Sequence, residues 1–155
     1  MKIERIELHR VSIPLVRPFE TSFGRETNQV HIIIKLFSEG LIGYGESAVS
    51  LNPGYSYETV NTAWHVQSEF LAPAILNCPI KNIKDFENYI RLIRGHNMAK
   101  HGFETAIWNL LSLEQEKPLY RLLGGTNTII RSGVSVGIEK NIEDLLQVID
   151  GFLEE

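Results

Sequence analysis

The chain has 155 residues, which is room for one ordinary domain, or for one small domain and part of another. Hydrophobic residues make up 43% and charged residues 22% of the sequence, close to the globular average, so a disordered chain is excluded. Fifteen Lys and Arg residues against nineteen Asp and Glu residues give a net charge of −4, which argues against a general nucleic-acid binder.

The sequence also bears on membrane insertion, secretion and disulfide formation. The apolar runs are too short to span a membrane, and the charged N-terminus Met1-Lys2-Ile3-Glu4-Arg5 is not expected to be a signal peptide. One cysteine, Cys78, excludes an intramolecular disulfide. These features predict a soluble, cytoplasmic protein with no membrane and no nucleic-acid partner.

The first fifty residues have the alternation of β-strands. Apolar side chains recur at every second position in residues 30–36 and, with one change of phase, in residues 6–15. Ser38-Glu39-Gly40 supplies a turn into a third strand, in which Gly43 and Gly45 either weaken the strand or allow close approach of another backbone. Three strands with short connections predict an antiparallel meander, which needs a partner layer to be stable.

Helices are predicted to supply that layer. Ser56 is expected to cap a first helix reaching about Leu76, which Pro73 kinks or shortens. A second helix is expected between Asn82 and Gly95. The two that follow are predicted over residues 98–116, after a cap at Asn97, and over residues 119–123, after Pro118.

The last thirty residues have a different pattern from the helical region before them. Residues 129–138 read as a strand, and Asn141 can cap a final helix. A strand followed by a helix opens a βαβ unit, after which a parallel strand is expected. We therefore expect residues 126–155 to be the truncated start of a second domain.

Several motifs occur in a fixed order along nearly the whole chain: Ile13-Pro14-Leu15-Val16-Arg17-Pro18-Phe19-Glu20-Thr21-Ser22-Phe23-Gly24, Gly43-Tyr44-Gly45-Glu46-Ser47, Gly95-His96-Asn97-Met98-Ala99-Lys100, Ala106-Ile107-Trp108-Asn109-Leu110, Lys117-Pro118-Leu119-Tyr120-Arg121-Leu122-Leu123-Gly124-Gly125 and Arg131-Ser132-Gly133-Val134-Ser135-Val136-Gly137-Ile138. This ordered set resembles the muconate-lactonizing subgroup of the enolase superfamily. Within that subgroup it is most similar to the o-succinylbenzoate synthases, many of which also racemise N-succinylamino acids.

The resemblance implies an α+β fold. Residues 1–125 would form an enolase-type N-terminal capping domain, with a three-stranded meander and a helical bundle. Residues 126–155 would form the first strand and helix of a truncated (β/α) barrel, since a complete barrel takes roughly 250 residues. In the family, the catalytic lysines and the acidic Mg²⁺ ligands lie on later barrel strands. No catalytic residue and no metal ligand is therefore assigned to this chain.

The resemblance also implies which residues shape the substrate site. Two cap loops, here residues 17–27 and 47–57, close over the barrel in the family, and a small hydroxyl residue on the first barrel strand faces the substrate. The corresponding candidates for substrate binding are Phe19, Thr21, Phe23, Ser50, Tyr55 and Ser135. The alternative is that Phe19 and Phe23 only anchor a loop, and that Ser135 fills a tight spot in the barrel. Lys100 is expected to bind a neighbouring loop or carboxylate rather than to act as a base.

The function implied is that of the N-terminal part of a Mg²⁺-dependent o-succinylbenzoate synthase, with N-succinylamino acid racemisation as a second activity. The chain alone is expected to be inactive. The expected partners are a small-molecule carboxylate substrate and further copies of the same chain. The alternatives are a dipeptide epimerase or a muconate cycloisomerase of the same superfamily, or a non-catalytic α+β interaction module.

Overall fold

The computed structural model describes residues 1–21 and 24–154. Backbone contacts divide the chain into two compact units. The first unit contains residues 1–13 and 30–126, and the second contains residues 14–29 together with the segment from residue 127 onward.

The described residues form one sheet with the strand order β1-β2-β3, in which β1 is Arg5–Thr21, β2 is Gly24–Ser38 and β3 is Leu41–Ser47. β2 and β3 run antiparallel, with Ser38 opposite Leu41. Glu39 and Gly40, which join them, have positive φ values of 51° and 82°, as a two-residue type I′ hairpin requires. The predicted three-stranded meander is confirmed.

A long helix, α4 (Asn97–Glu114), packs directly on β3. The two backbones approach closely, because a Cβ atom built on Gly45 would lie only 2.7 Å from Ala106 N and 2.8 Å from Thr105 Oγ1. One built on Gly43 would overlap the carbonyl of Ala106. The prediction that these two strand glycines allow close backbone approach is therefore correct.

The core of the first unit lies between the sheet and the helices. All five α4 positions predicted to face inward are buried: Phe103, Ala106, Ile107, Leu110 and Leu111. The alternating residues Ile32, Ile34 and Leu36 of β2 belong to the same apolar cluster. Each such side chain contributes about 1.5–3 kcal/mol when it is fully removed from water.

The first helix starts later than predicted. It begins with α1 (Val60–Val66), and its N-cap is Thr59 rather than Ser56. Thr59 Oγ1 accepts a hydrogen bond from Thr62 N at 3.3 Å, whereas Ser56 Oγ accepts one from Glu58 N at 3.2 Å in the preceding loop. Because both residue types make good N-caps, the sequence pattern does not distinguish them.

Pro73 was predicted to kink or shorten this helix; the helix is not shortened, since it continues to Ile75, but its geometry is irregular just before Pro73. A π-helical turn (Gln67–Leu71) follows α1 and leads into α2 (Ala72–Ile75). Proline lacks a backbone N–H, and its ring crowds the preceding turn of a regular helix. In the wider turn just before Pro73, Ala72 N donates to Gln67 O, so the predicted distortion takes the form of a π turn.

The next helix, α3 (Ile83–Tyr89), begins at its predicted cap, Asn82, but ends before Gly95. Asn82 Oδ1 accepts a hydrogen bond from Lys84 N at 2.9 Å. The cap predicted for α4 on Asn97 is wrong by one residue, since the N-cap is His96. A short helix, α5 (Leu119–Leu122), follows Pro118. No helix in the described chain has both the length and the apolar character needed to cross a membrane.

The strand predicted over residues 129–138 is wrong. These residues, all of which the structure describes, are solvent-exposed and form no ladder with another described segment. Because a β-strand needs a neighbouring strand for its hydrogen bonds, an apolar alternating segment without one does not become a strand. The final helix, α6 (Ile142–Leu153), is as predicted: Asn141 Oδ1 accepts a hydrogen bond from Asp144 N at 2.8 Å.

Candidate functional site

The hairpin between β1 and β2 carries the first group of candidates. The loop expected at residues 17–27 is mostly strand, because β1 continues to Thr21 and β2 starts at Gly24. Strand pairing satisfies backbone groups that an open loop would leave to water. Phe19 is 52% exposed, and Thr21 Oγ1 lies 3.4 Å from Gly24 O as a hydrogen-bond donor. Phe23 lies outside the described residues.

The second group lies on the loop between β3 and α1. Tyr55 is 84% exposed, and Ser50 is half-buried. Ser50 forms a parallel bridge to Thr59, and its carbonyl accepts a hydrogen bond from Val60 N at 3.0 Å. The backbone of this loop is therefore fastened at Ser50, while the ring of Tyr55 remains free to contact a ligand.

Buried polar side chains fasten both ends of the same loop to the first turn of α4. At the far end, Glu58 accepts hydrogen bonds from Met98 N at 2.9 Å and from Ala99 N at 3.0 Å. At the near end, Ser47 Oγ donates to Met98 O at 3.2 Å. Gln67 Nε2 donates to Ser47 Oγ at 2.6 Å and to Ala99 O at 3.0 Å. We call Ser47, Glu58 and Gln67 the polar cluster.

The polar cluster was not among the predicted sites, although one signal for it was present in the sequence. Gln67 lies four residues after Ala63 and four before Leu71, both fully buried, so it occupies a core-facing position of the helix. A polar side chain at such a position must find hydrogen-bond partners. The role of Glu58 has no local signal, because its partners lie 40 and 41 residues further along the chain.

Ser135 lies in the exposed segment that forms no strand. Its expected orientation toward a substrate, which depends on a barrel strand, therefore stays a prediction. The five described candidates fall into two groups: Phe19, Thr21 and Ser135 belong to the second unit, whereas Ser50 and Tyr55 belong to the first.

A cavity of about 550 Å³ lies beside the start of α4 in the first unit. The residues lining it are Ala48, Phe86, Glu87, Ile90, Asn97, Met98, Lys100, His101 and Glu104. None of the predicted site residues is among them. Lys100 Nζ donates to the carbonyl of Ile93, so this lysine binds a neighbouring loop, as expected.

The described residues do not fit a magnesium site. Mg²⁺ is held by oxygen ligands, chiefly carboxylates. In the described part of the chain, no three His, Cys, Asp or Glu side chains converge on a point that a metal ion could occupy. No chemical step through a metal is therefore derived from this chain.

A three-stranded meander covered by helices places the chain in the α+β class, and this arrangement matches an enolase-type N-terminal capping domain. The chain belongs to the family described as mandelate racemase / muconate lactonizing enzyme, N-terminal domain, whose model matches residues 5–124. The predicted membership of the enolase superfamily is confirmed.

Three relatives show how specific the similarity is. The o-succinylbenzoate synthase of Geobacillus kaustophilus is 37% identical over 156 residues, a match that covers 100% of this chain and 42% of that protein. The N-succinylamino acid racemase of Thermus thermophilus is 37% identical over 155 residues, with the same coverage. The crystal structure of an enolase-superfamily member from Listeria innocua superposes with a TM-score of 0.90 at 31% identity, covering 99% of this chain and 42% of that one. The chain thus spans less than half the length of these relatives.

Proposed function

We propose that this chain is the N-terminal capping part of an o-succinylbenzoate synthase that also racemises N-succinylamino acids. The observation that carries the proposal is the 37% identity, over the full chain, to both a synthase and a racemase. Both reactions begin when a proton leaves the carbon next to a carboxylate. In the dehydration, loss of this proton breaks the C–H bond; the C–O bond then breaks, a C=C bond forms, and the departing hydroxyl takes up a proton and leaves as water.

The contribution we assign to this chain is recognition of the substrate. Phe19 and Tyr55 offer exposed aromatic surface, which can cover an apolar part of the substrate and exclude water from the reacting carbon. Ser50 and Ser135 carry hydroxyl groups, which can donate hydrogen bonds to carboxylate or carbonyl oxygens. Thr21, whose Oγ1 donates to Gly24 O, can instead accept a hydrogen bond from the substrate. These interactions set which side group is accepted, and so they act on selectivity.

Proton transfer and charge neutralisation are assigned elsewhere in the whole enzyme. A bound Mg²⁺ would neutralise the charge that develops on the substrate carboxylate. Because the described residues hold no ligand set for this ion, we propose that its ligands and the proton-transferring groups belong to the part of the enzyme that the relatives have beyond the match.

A hybrid enzyme tests this proposal. Residues 1–125 of this chain would replace the matching part of the Geobacillus kaustophilus synthase, and dehydration and racemisation would be assayed with Mg²⁺. We expect both activities, and we expect Tyr55→Ala to raise KM about tenfold, the effect of losing roughly 1.4 kcal/mol of binding. Leu92→Ala, an exposed residue outside both candidate loops, is the matched control and should leave KM unchanged.

The alternatives predict other outcomes of the same experiment. The substrate that the proposed synthase dehydrates to o-succinylbenzoate is a cyclohexadiene carboxylate. A hybrid that epimerises dipeptides or cycloisomerises muconate, and does not dehydrate this compound, would contradict the proposed substrate and support the corresponding alternative. A hybrid that folds, binds Mg²⁺ and turns over none of these substrates would favour the non-catalytic module. Equal KM values for Tyr55→Ala and the unsubstituted hybrid would remove Tyr55 from the site.

A further inference from the structure

The loop of residues 48–57 is fixed at both ends to one turn of one helix. Ser47 immediately precedes this loop and Glu58 immediately follows it. Both side chains bind the backbone of Met98 and Ala99, and Gln67 connects Ser47 to Ala99. The two ends are therefore held by hydrogen bonds to the same two residues of α4.

Glu58 is the strongest of these anchors. Its side chain is 1% exposed, and each carboxylate oxygen accepts one backbone N–H, from Met98 and from Ala99. Hydrogen bonds to a charged acceptor are stronger than those between neutral groups. The acceptor is also well placed electrostatically, because a negative charge is stabilised near the N-terminus of a helix.

The first turn of α4 has no side-chain cap from its own N-cap residue. Gly95 and His96 both have left-handed backbones, with φ values of 65° and 53°, a conformation that residues other than glycine adopt only uncommonly. His96, the N-cap residue, makes no side-chain hydrogen bond to the cap. The carboxylate of Glu58 thus satisfies N–H groups that an N-cap side chain would otherwise serve.

We propose that Glu58 is a positioning residue for substrate selectivity. With Ser47 and Gln67, it holds the base of the loop in one place, so that Ser50 and Tyr55 are oriented before the substrate arrives. Ordering a loop in advance lowers the entropic cost of binding. Substitutions of Ser47, Glu58 or Gln67 are therefore expected to be poorly tolerated. Substitutions in the exposed part of the loop, around Tyr55, can change which substrate is accepted without loss of the fold. The selectivity part of this proposal rests on the proposed function.

Hydrogen exchange on the 155-residue chain tests the anchoring directly. In Glu58→Gln, an amide group faces one of the two N–H donors, so one hydrogen bond is lost and a donor meets a donor. We expect the amides of residues 50–60 and 98–99 to exchange about tenfold faster, as the loss of one charge-assisted hydrogen bond implies. The amides of the buried part of α4, residues 106–111, should be unchanged.

Two further variants make this test decisive. Glu87→Gln is the matched control, because Glu87 is an exposed glutamate on α3. Ser47→Ala is a milder change, for use if Glu58→Gln fails to fold, and should speed exchange only near the start of the loop. Unchanged exchange in the loop, or a uniform increase that includes residues 106–111, would overturn the anchoring proposal.

Kinetics of the hybrid enzyme separate positioning from a merely structural role. Glu58→Gln is expected to raise KM about tenfold while kcat stays within about twofold, because the chemical groups are untouched. A structural defect would reduce the amount of active enzyme and leave KM unchanged, and that result would refute the selectivity role. A hybrid with the unsubstituted sequence that shows no turnover would refute the proposed function, and the selectivity role with it. The exchange data would still decide whether Glu58 anchors the loop.

Discussion

The carboxylate of Glu7 on β1 lies among cationic groups. His9 Nε2 is 3.1 Å from Glu7 Oε2, the guanidinium of Arg5 contacts Oε1, and Lys35 Nζ is 4.0 Å away. The hydrogen bond with His9 is the largest effect and lowers the pKa of Glu7 from its usual value; partial burial is the next largest and raises this pKa, and the charges of Arg5, Lys35 and His9 lower it. The carboxylate form is thus favoured in the folded chain.

Removing His9 should raise the pKa of Glu7. For His9→Leu we expect a clear upward shift toward the usual glutamate range, measured by NMR titration of the Glu7 carboxyl carbon. His101→Leu, on α4, is the control and should leave the titration unchanged. An unaltered midpoint in His9→Leu would contradict the assigned cause.

The lowered pKa of Glu7 also determines how the stability of the folded chain changes with pH. Because the folded-state pKa of Glu7 is lowered, its contribution to stability is present above the unfolded-state pKa and is lost as the pH falls through the folded-state pKa. The His9→Leu variant should accordingly lose less stability on acidification than the unsubstituted chain.

Residue-scale features could be predicted where they are local. The caps at Asn82 and Asn141 were predictable because each side chain serves backbone N–H groups two or three residues further on. The capping of α4 by Glu58 could not be predicted, because the carboxylate comes from a loop 40 residues earlier. Proximity of that kind exists only in the folded chain.

The packing of β3 against α4 depends on residues without a side chain at the contact. A methyl group on Gly45 would overlap the carbonyl of Gly102 and lie 2.7 Å from Ala106 N. These are backbone atoms, which cannot move without displacing the helix. Overpacking of this kind costs about 1–3 kcal/mol or more.

Gly45→Ala should therefore lower the free energy of unfolding by about 3 kcal/mol, measured by urea denaturation. Gly54→Ala is the matched control, since nothing lies within 4 Å of a Cβ atom at that position. It should change the stability by no more than about 0.5 kcal/mol. Equal stabilities of the two variants would show that the helix does not lie against β3 as described.

Helices proved more predictable than strands at the scale of elements. The hydrogen bonds within a helix are local, so periodicity and caps located each predicted helix, although α1 begins later and α3 ends earlier than expected. The strand expected at residues 129–138 depends on neighbours that the pattern does not supply, and there the alternation of apolar residues was misleading. Gly43 and Gly45 correctly predicted a close backbone contact, but the sequence pattern did not indicate that α4 would be the contacting element.

Over the whole chain, the ordered motifs predicted the family, which the match over residues 5–124 confirms. The substrate-binding roles of Phe19, Thr21, Ser50, Tyr55 and Ser135 stay predictions, as do the domain boundary after residue 125 and the assembly into oligomers. These properties depend on surfaces that meet only when a substrate or another part of the enzyme is present. The chain spans 42% of the Geobacillus kaustophilus relative, and the assignment of the reaction to a longer enzyme is part of the proposed function.

The most direct measurement is the turnover of the cyclohexadiene carboxylate by the 155-residue chain and by the hybrid, side by side, with Mg²⁺ in both assays. The described residues bring together no three His, Cys, Asp or Glu side chains that could hold a metal ion, and the role proposed for the candidate residues is recognition of the substrate. We therefore predict o-succinylbenzoate formation by the hybrid and none by the chain alone. Mg²⁺-dependent product formation by the chain alone would contradict the division between selectivity here and proton transfer elsewhere.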